Sequence, residues 1–192
     1  YRVRNLRGDD VPQLRRFGDG LGAQARDYFA PYPWQEPAKL PEAFQAAIRN
    51  AVTHVDASYL MLRDGEPIGH FFLWRAGGNE HARAHGLELP ELGIAIVDTA
   101  VGKGLGGLAV RLLTAVAESL HADGIELTTA MENEAGWQTY LRAGYEYTGQ
   151  IWGALDVDVT AAFAGEVTPT RFRLERQMIY YLQPEKKPAI LA

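Results

Sequence analysis

The sequence predicts a single α+β (mixed α/β) domain over residues 1–192, with a central mixed, mostly antiparallel sheet of about seven strands flanked by helices. Short segments rich in branched and aromatic residues occur towards both ends of the chain, as is typical of antiparallel strands. Between them lies a strand–helix–strand unit whose helix, residues 105–121, has apolar residues at helical spacing. Strands on both sides of such a unit favour one layered domain.

The composition limits the classes of function. The chain has 192 residues, 47% hydrophobic and 22% charged, which suits one globular domain with a real core. A formal net charge of -5 argues against a nucleic-acid surface, and the absence of cysteine excludes disulfides, thiolate metal sites and a cysteine nucleophile. No apolar run approaches the roughly 18 residues of a membrane span, and no signal region opens the chain. We expect a cytoplasmic protein that binds neither nucleic acid nor membranes.

The first half of the chain is predicted to hold three strands and two helices. Asp9 or Asp10 can cap the first helix, which has a proline in its first turn. Asp64-Gly65 is a hairpin signal between the second and third strands. In chain order, these elements are a strand over residues 1–6, a helix through Val11, Leu14 and Phe17, a helix over 41–54, and strands over 58–63 and 67–75.

An aromatic segment, residues 27–34, separates the two predicted helices. It carries four aromatic rings, and its two prolines exclude a regular helix. It is either a loop packed on the core or one wall of a substrate pocket, since long loops on rigid scaffolds often bind ligands.

The second half of the chain is predicted to hold four strands and two helices. In helix 105–121, the apolar row that we expect to face the core consists of Leu105, Leu108, Leu112, Val116 and Leu120. The predicted elements are strand 92–97, helix 105–121, strand 125–131, helix 134–142, and an antiparallel pair of strands over 145–152 and 172–182.

A glycine loop, Val101–Gly107, joins strand 92–97 to helix 105–121. Four of its seven residues are glycines, which let the backbone approach a ligand closely. The helix that follows offers unpaired N–H groups and the positive end of its dipole, an arrangement that favours phosphate. Lys103 adds a positive charge.

Two known kinds of nucleotide-binding loop are rich in glycine, as this segment is. A nucleoside-triphosphate loop is excluded, because no G-x-x-x-x-G-K-[ST] pattern occurs. Gly102, Gly104 and Gly107 do match G-x-G-x-x-G, but a dinucleotide fold expects an acidic residue at the end of the next strand and further parallel strands. Glu126 lies at the start of that strand instead, and antiparallel strands follow.

The residues around this loop resemble the GNAT acetyltransferases. That family has Gln/Arg-x-x-Gly-x-Gly/Ala between a strand and a helix, where this chain has Val101-Gly102-Lys103-Gly104-Leu105-Gly106. A second family block, roughly Asn-x-x-Ala-x-x-x-Tyr-x-Lys-x-Gly-Phe, is matched by Asn133–Tyr145. The two blocks are correctly ordered and cover residues 91–145, the expected acyl-CoA-binding core.

Three departures from the family pattern stand out. Val101 replaces the usual Gln or Arg and so removes a polar side chain near the pyrophosphate. Gly136 replaces the common Ala. Residues 153–171 lengthen the last hairpin beyond the usual loop size, so we expect this insertion to be functional or mobile.

The resemblance implies how acetyl-CoA is held. The glycine loop would take the pyrophosphate, strand 92–97 would pair with the pantetheine arm as an extra strand would, and Asn133 would contact the arm or fix the following helix. The residues assigned in this way to cofactor binding are Ile94, Ala95, Ile96, Gly102, Lys103, Gly104, Leu105, Gly106, Gly107, Asn133 and Tyr140.

The resemblance also implies direct attack of an amine on the thioester. Tyr140 would protonate the leaving thiolate, since a phenol is protonated at neutral pH. A backbone N–H near Ile96 would stabilise the oxyanion. Glu91 is the first candidate for the base and His70 the alternative; each could equally be structural, and Tyr140 could be a core residue.

The expected acceptor is a small-molecule or peptide amine, which the sequence does not name. A non-catalytic acyl-CoA-binding module on the same fold is the alternative, and a homodimer is possible. His81 and His85 have helical ligand spacing but no H-E-x-x-H pattern, so no metal is expected. Asp156 and Asp158, in the insertion, could meet a cationic amine or be solvated.

Overall fold

The computed structural model describes residues 1–75, 80–154 and 172–191, and within them seven strands form one sheet. No described helix combines the length and the apolar character needed to cross a membrane. The mixed sheet with flanking helices confirms the predicted fold class. The strands are β1 (Arg2–Asn5), β2 (Ala57–Arg63), β3 (Glu66–Trp74), β4 (Glu91–Ile96), β5 (Gly124–Ala130), β6 (Glu146–Ala154) and β7 (Phe172–Tyr181). The helices are α1 (Val11–Asp19), α2 (Ala23–Tyr28), α3 (Leu40–Val52), α4 (Glu80–Ala84), α5 (Leu105–Ser119), α6 (Glu134–Arg142) and α7 (Lys187–Ile190).

The sheet has the order β1-β2-β3-β4-β5-β7-β6. All neighbouring strands are antiparallel except β4 and β5, which are parallel because the crossover through α5 joins them. The predicted antiparallel pair at the end of the chain is confirmed, with β7 inserted between β5 and β6. The dinucleotide-fold hypothesis is wrong, because that fold needs a mostly parallel sheet.

The two faces of the sheet carry different helices. On the first face, which we call the α1 face, Phe17 of α1 contacts the ring of His70 on β3 at 5.7 Å between centroids. On the second face, the α6 face, the Asn133 side chain before α6 donates to Thr129 Oγ1 of β5 at 3.0 Å. Because side chains alternate along a strand, these contacts assign the positions of β4, β5 and β7, and those of β3 beyond its irregularity at Ile68, to one of the two faces.

The helix α5 is buried on a different stripe from the one predicted. Leu105, Ala109, Leu113 and Ala117 are buried at intervals of four residues, whereas Leu108 is exposed. The helix is apolar around most of its circumference, so the apolar pattern did not select one stripe. The row that packs contains two alanines, and small residues allow a helix to lie close to its neighbours.

The start of α1 also differs from the prediction. Asp10 is the N-terminal cap position, but its carboxylate makes no cap hydrogen bond to the helix. It accepts two hydrogen bonds from Arg4, at 2.5 and 2.7 Å, and a third from the backbone N–H of Arg7. These bonds lower the pKa of Asp10 against the opposing effect of its burial, and they fasten β1 to α1.

The aromatic segment 27–34 packs mainly on the core. The side chains of Phe29 and Tyr32 are buried, and the Trp34 ring N–H donates to the carbonyl of Phe29 at 2.6 Å. Its first residues complete the short helix α2, which the proline argument did not anticipate. Of the four rings, that of Tyr28 is the one turned towards β7, over Arg173 at 5.8 Å.

Some sequence predictions fall outside the described residues. The turn at Gly77–Asn79 does so, as does all of the 153–171 insertion beyond Ala154, with Asp156 and Asp158.

Between β3 and β4 the short helix α4 was not predicted. Its residue Ala82 packs with Leu87 and Leu89 as a small second apolar cluster, partly covered by Ile190 of α7.

We predict that Tyr32→Phe destabilises the fold by about 1–3 kcal/mol, because it leaves a buried histidine nitrogen without its donor. The Tyr32 hydroxyl lies 2.7 Å from His70 Nε2 in the core. Equilibrium urea unfolding measures the change. Tyr28→Phe is the matched control, since its hydroxyl accepts an exposed bond from Gln24. Equal free energies of unfolding for the two variants would contradict the prediction.

Candidate active site

The site centres on the place where β4 and β5 separate. The two strands are paired at one position, Glu91 with Glu126, where the Glu126 N–H also donates to the Pro90 carbonyl at 3.1 Å. Beyond that position, Leu92–Ile96 pair with β3 on one side and with no described strand on the other. The result is a wedge-shaped cleft inside the sheet, lined on the β4 side by backbone that includes the predicted residues 94–96.

The glycine loop lies beyond the wide end of this cleft, between β4 and α5. Gly102 and Gly104 have φ angles of +79° and +74°, in the left-handed region that favours glycine. Both are exposed, and a Cβ atom on either would meet no atom of the described residues within 4 Å. Gly104 is the cap residue of α5, and no side chain in the described part of the chain caps this helix. The loop therefore presents the amino end of a 15-residue helix to an open cradle.

The other loop residues support this cradle. Leu105 is buried and anchors the first turn of α5 in the core. Gly106 lies beside Thr139 of α6, where a Cβ atom would come 4.0 Å from the Thr139 methyl group. Lys103 is exposed and donates to the Thr99 carbonyl at 3.2 Å, so its ammonium lies against the loop backbone.

Arg111 is a candidate site residue that the sequence analysis missed. Its Nη1 lies 3.6 Å from the position that a Cβ atom on Gly107 would take. One turn of α5 separates the two residues, so the guanidinium folds back over the start of the helix. A basic residue four positions after the last loop glycine was the signal that could have found it.

Asn133 fixes the start of α6. Its Oδ1 accepts a hydrogen bond from the Gly136 N–H at 3.0 Å, and its Nδ2 donates to Thr129 Oγ1. Of the two roles expected for Asn133, these bonds are those of a helix cap. They also account for Gly136, because a Cβ atom there would come 2.6 Å from Asn133 Nδ2.

Tyr140 lies on α6, half-buried, with its ring 5.8 Å from that of Tyr145. Burial raises the pKa of its phenol to about 12. Its hydroxyl makes no hydrogen bond with the part of the chain that the structure describes. The phenol is therefore protonated at neutral pH.

Glu91 opens β4 on the α1 face, where it pairs across the sheet with Trp74 of β3. Burial, together with the nearby charges of Glu126 and Glu175, raises the pKa of its carboxyl to about 7. A carboxylate with a pKa near 7 suits a general base at neutral pH. The direction of its side chain, which the sequence left open, is thus settled by the register of β3 and β4.

Glu126 and Glu175 were not assigned to the site from sequence. Glu126 is the β5 partner of Glu91, and Glu175 lies opposite Ala130, four residues further along β5. All three carboxylates therefore lie on the α1 face. Within the described chain, no group of three or more His, Cys, Asp or Glu side chains is placed to hold a metal ion.

His70 has the environment of a neutral core histidine. Its side chain is fully buried, Nδ1 lies 3.0 Å from the Tyr59 carbonyl and Nε2 lies 2.7 Å from the Tyr32 hydroxyl. A carbonyl can only accept, so Nδ1 carries the proton and Nε2 accepts from the tyrosine. Burial lowers the pKa of His70 to about 4. This geometry favours Glu91 over His70 as the base.

The candidate acid and base lie on opposite faces of the sheet. Glu126 and Thr129 are three residues apart on β5, so Thr129 and the attached α6 lie on the face opposite Glu91. The separation of β4 from β5 lies between these two faces.

Comparison with protein families gives one match over most of the chain. The family model described as the acetyltransferase (GNAT) domain matches residues 2–146. No curated protein matches the chain in sequence.

Solved structures share the fold at low sequence identity. A ribosomal-protein-alanine N-acetyltransferase from Brucella melitensis has a TM-score of 0.69 at 16% identity, over 95% of this chain and 100% of that one. A Salmonella typhimurium protein described as an acetyltransferase, with its cofactor acetyl-CoA, has a TM-score of 0.69 at 14% identity, over 95% and 94%. An aminoglycoside acetyltransferase in complex with coenzyme A and kanamycin has a TM-score of 0.64 at 17% identity, over 97% and 98%.

We predict opposite contributions of Glu91 and His70 to the pH dependence of stability. Between pH 4.5 and about 7 folded Glu91 binds a proton that the unfolded chain releases, so raising the pH destabilises the fold. Between pH 6.5 and about 4 unfolded His70 binds a proton that the folded chain excludes, so lowering the pH destabilises it.

The substitution Glu91→Gln removes the first contribution alone. Relative to the wild type, its free energy of unfolding should rise by on the order of 1–3 kcal/mol from pH 5 to pH 7. Urea titrations at a series of pH values measure this difference. Glu118→Gln, at an exposed position of α5, removes the same charge and serves as the control. Parallel curves for wild type and Glu91→Gln would disprove the assignment.

Proposed function

The chain belongs to the GNAT acetyltransferase family, and from this we propose that it moves an acetyl group from acetyl-CoA to a primary amine. The observation that carries the proposal is the cleft between β4 and β5. Three features of the chain support its use as the site: an open glycine loop after β4, the Glu91 carboxyl on the α1 face, and α6 with its phenol on the other face. The amine would attack directly while both substrates are bound.

The cleft fits acetyl-CoA in two ways. The unpaired edge of β4 at Ile94, Ala95 and Ile96 offers backbone donors and acceptors to the amide groups of a pantetheine arm, as an added strand would. The start of α5, with Gly102–Gly107, offers N–H groups and a positive dipole end to the pyrophosphate. Arg111 adds a cation near this loop, and Asn133 holds α6 and its Tyr140 in position.

In the proposed reaction, Glu91 on the α1 face accepts a proton and Tyr140 of α6 donates one. Bound acetyl-CoA supplies the acetyl group as a thioester. Glu91 accepts a proton from the acceptor ammonium, directly or through water, which frees the nitrogen lone pair to form the new C–N bond. A backbone N–H near Ile96 donates to the oxyanion, and Tyr140 gives its proton to the sulfur when the C–S bond breaks. The nitrogen loses its second proton as the amide forms, and this proton returns, through water, to the Tyr140 phenolate. Glu91 later returns its proton to solvent.

The acceptor reaches Glu91 from the α1 face. That face carries Glu126 and Glu175 beside Glu91, so it favours a cationic amine over an anionic acceptor. We propose a small-molecule or peptide amine, in keeping with neighbours named for a ribosomal protein and for an aminoglycoside. The described chain contains the proposed acid and base, so a homodimer, which remains a proposal, is not needed to complete them.

The function is tested by release of free CoA from acetyl-CoA in the presence of a panel of amines. The panel contains polyamines, aminoglycosides, amino acids and peptides with free amino ends. CoA release together with an added acetyl mass on one amine supports the proposal and supplies the acceptor. Tight binding of acetyl-CoA without release for any amine favours the non-catalytic acyl-CoA-binding alternative.

We expect Tyr140→Phe to lower kcat about 100-fold or more while the Kd for acetyl-CoA changes less than about threefold, because only the proton donor is lost. Stopped-flow or steady-state assays with the accepted amine give kcat, and calorimetry gives the Kd. Tyr147→Phe is the control. Tyr147 lies on β6, and its half-exposed ring packs on Trp137 of α6, the helix that carries Tyr140. An unchanged kcat in Tyr140→Phe would remove Tyr140 from the acid role.

We expect Gly104→Glu to weaken acetyl-CoA binding by at least about tenfold, because a carboxylate would enter the proposed phosphate cradle. Gly86→Glu is a close control. Gly86 has a φ of +70° and, like Gly104, open space around a Cβ atom, but it lies in the turn after α4. Both variants carry the same backbone strain. Equal Kd values for the two would contradict the assignment of the loop.

A further inference from the structure

Arg173 is one of the most heavily bonded side chains on the α1 face. Its Nε and one terminal nitrogen donate to Glu175 Oε1 at 3.0 and 2.5 Å. The other terminal nitrogen donates to the carbonyl and the carboxylate of Asp27 at 2.8 and 2.9 Å. The guanidinium also lies over the ring of Tyr28. With 13% of its side chain exposed, Arg173 ties β7 to the end of α2.

This ion network lies on the same face as the proposed base. Arg173 and Glu175 are two residues apart on β7, and Glu175 is level with Ala130, on the face that also carries Glu126 and Glu91. The network consists of Glu175, Arg173 and Asp27, and Glu91 and Glu126 lie on the same face of the sheet. Arg173 is the one cation among them.

Arg26, which precedes Asp27 on α2, makes its contacts with α1 and with Trp34. Arg26 donates to the Gly18 carbonyl through two nitrogens, at 3.1 and 2.7 Å, and lies over the ring of Trp34. Its charge therefore faces α1, away from β7. Arg26 therefore adds no charge to the network of Arg173, Glu175 and Asp27.

We propose that Arg173 is a positioning residue for the transfer: it fixes Glu175 and the end of α2, and its charge offsets that of Glu175, which lies on the same face as Glu91. This inference rests on the proposed function, because it concerns the residue proposed there as the base. Arg173 itself touches neither the base nor the reacting atoms in this arrangement. It acts through Glu175 and through α2.

Removing the charge of Arg173 or of Glu175 should change the pH at which Glu91 loses its proton. Without Arg173, the full negative charge of Glu175 acts on Glu91 and favours its protonated form, so the base becomes active at a higher pH. Without Glu175, the charge of Arg173 acts in the opposite direction. With both charges removed, the two effects cancel. A purely structural role for Arg173 would not produce this pattern, because a second substitution in a damaged site does not restore it.

The experiment compares Arg173→Met, Glu175→Gln and the double variant with the wild type. The acid limb of the pH profile of kcat/KM, with the amine found in the panel, should move up by roughly half a pH unit or more in Arg173→Met and down in Glu175→Gln. In the double variant it should return to near the wild-type position. Circular dichroism and the Kd for acetyl-CoA establish that each variant is folded.

Arg176→Met is the matched control. Arg176 lies on the same strand but on the α6 face, where it packs over Trp137 at 4.6 Å and pairs with Glu134 at 3.7 Å. Its loss should leave the acid limb in place. A shift equal to that of Arg173→Met would show a general effect of charge and overturn the proposal.

A second readout separates this inference from the proposed function. The ¹³C signal of the Glu91 carboxyl, assigned by its absence in Glu91→Gln, titrates whether or not any amine is acetylated. If no amine is acetylated but the Glu91 midpoint moves as expected, the proposed function fails and the charge balance stands. If the midpoint is the same in wild type, Arg173→Met and Glu175→Gln, the inference is wrong even where the enzyme is active. Should Arg173→Met not fold, Glu175→Gln alone decides, since its midpoint must fall.

Discussion

The divergence of β4 from β5 is the constraint on which the rest of the site depends. The two strands share one pairing, between Glu91 and Glu126, and then separate, which leaves the backbone of β4 without partners on one side. Buried or half-buried backbone groups without partners are costly, so a sheet opened in this way is suited to a ligand that supplies the missing bonds. The same divergence lies between α6 on one face and the carboxyls of Glu91 and Glu126 on the other. One local interruption of the ladder thus leaves the edge of β4 open between the two faces.

Two buried titratable groups on the α1 face show how environment separates structural from chemical roles. His70 has both nitrogens engaged, by a tyrosine hydroxyl and a backbone carbonyl, so burial lowers its pKa and keeps it neutral. Glu91 has no hydrogen-bond donor among the described residues, and like charges as well as burial raise its pKa. A titratable group whose hydrogen bonds are all made stays in one protonation state. A group without such bonds and with a pKa near neutrality can exchange a proton. Sequence alone could not rank these two candidates, because the difference lies entirely in their neighbours.

Local patterns predicted the elements that local physics determines, and failed where distant residues decide. The glycine loop, α6 and the turn at Asp64-Gly65 follow from backbone requirements encoded within a few residues. The stripe of α5 that packs on the sheet does not, because the apolar residues of this helix surround most of its axis. The short helices α2 and α4 were missed because neither has an amphipathic pattern long enough to detect. Glu126 joins Glu91 through the pairing of β5 with β4. Glu175 reaches the same face only because β7 inserts between β5 and β6, and no short-range pattern encodes that strand order.

The departures from the family pattern are accommodated by particular neighbours. At Gly136 the missing methyl group makes room for the Asn133 side chain, whose carbonyl oxygen caps α6. An alanine here would press on that cap, so the substitution and the cap geometry are consistent with each other.

At Val101 a polar side chain is lost, and Val101 itself is exposed. Arg111 brings a guanidinium back to the start of the same helix from one turn further on. Because a helix amino end acts on an anion mainly through its N–H groups and dipole, a cation near those groups can come from either direction. We infer that the cradle keeps its positive character although the family's usual residue is absent.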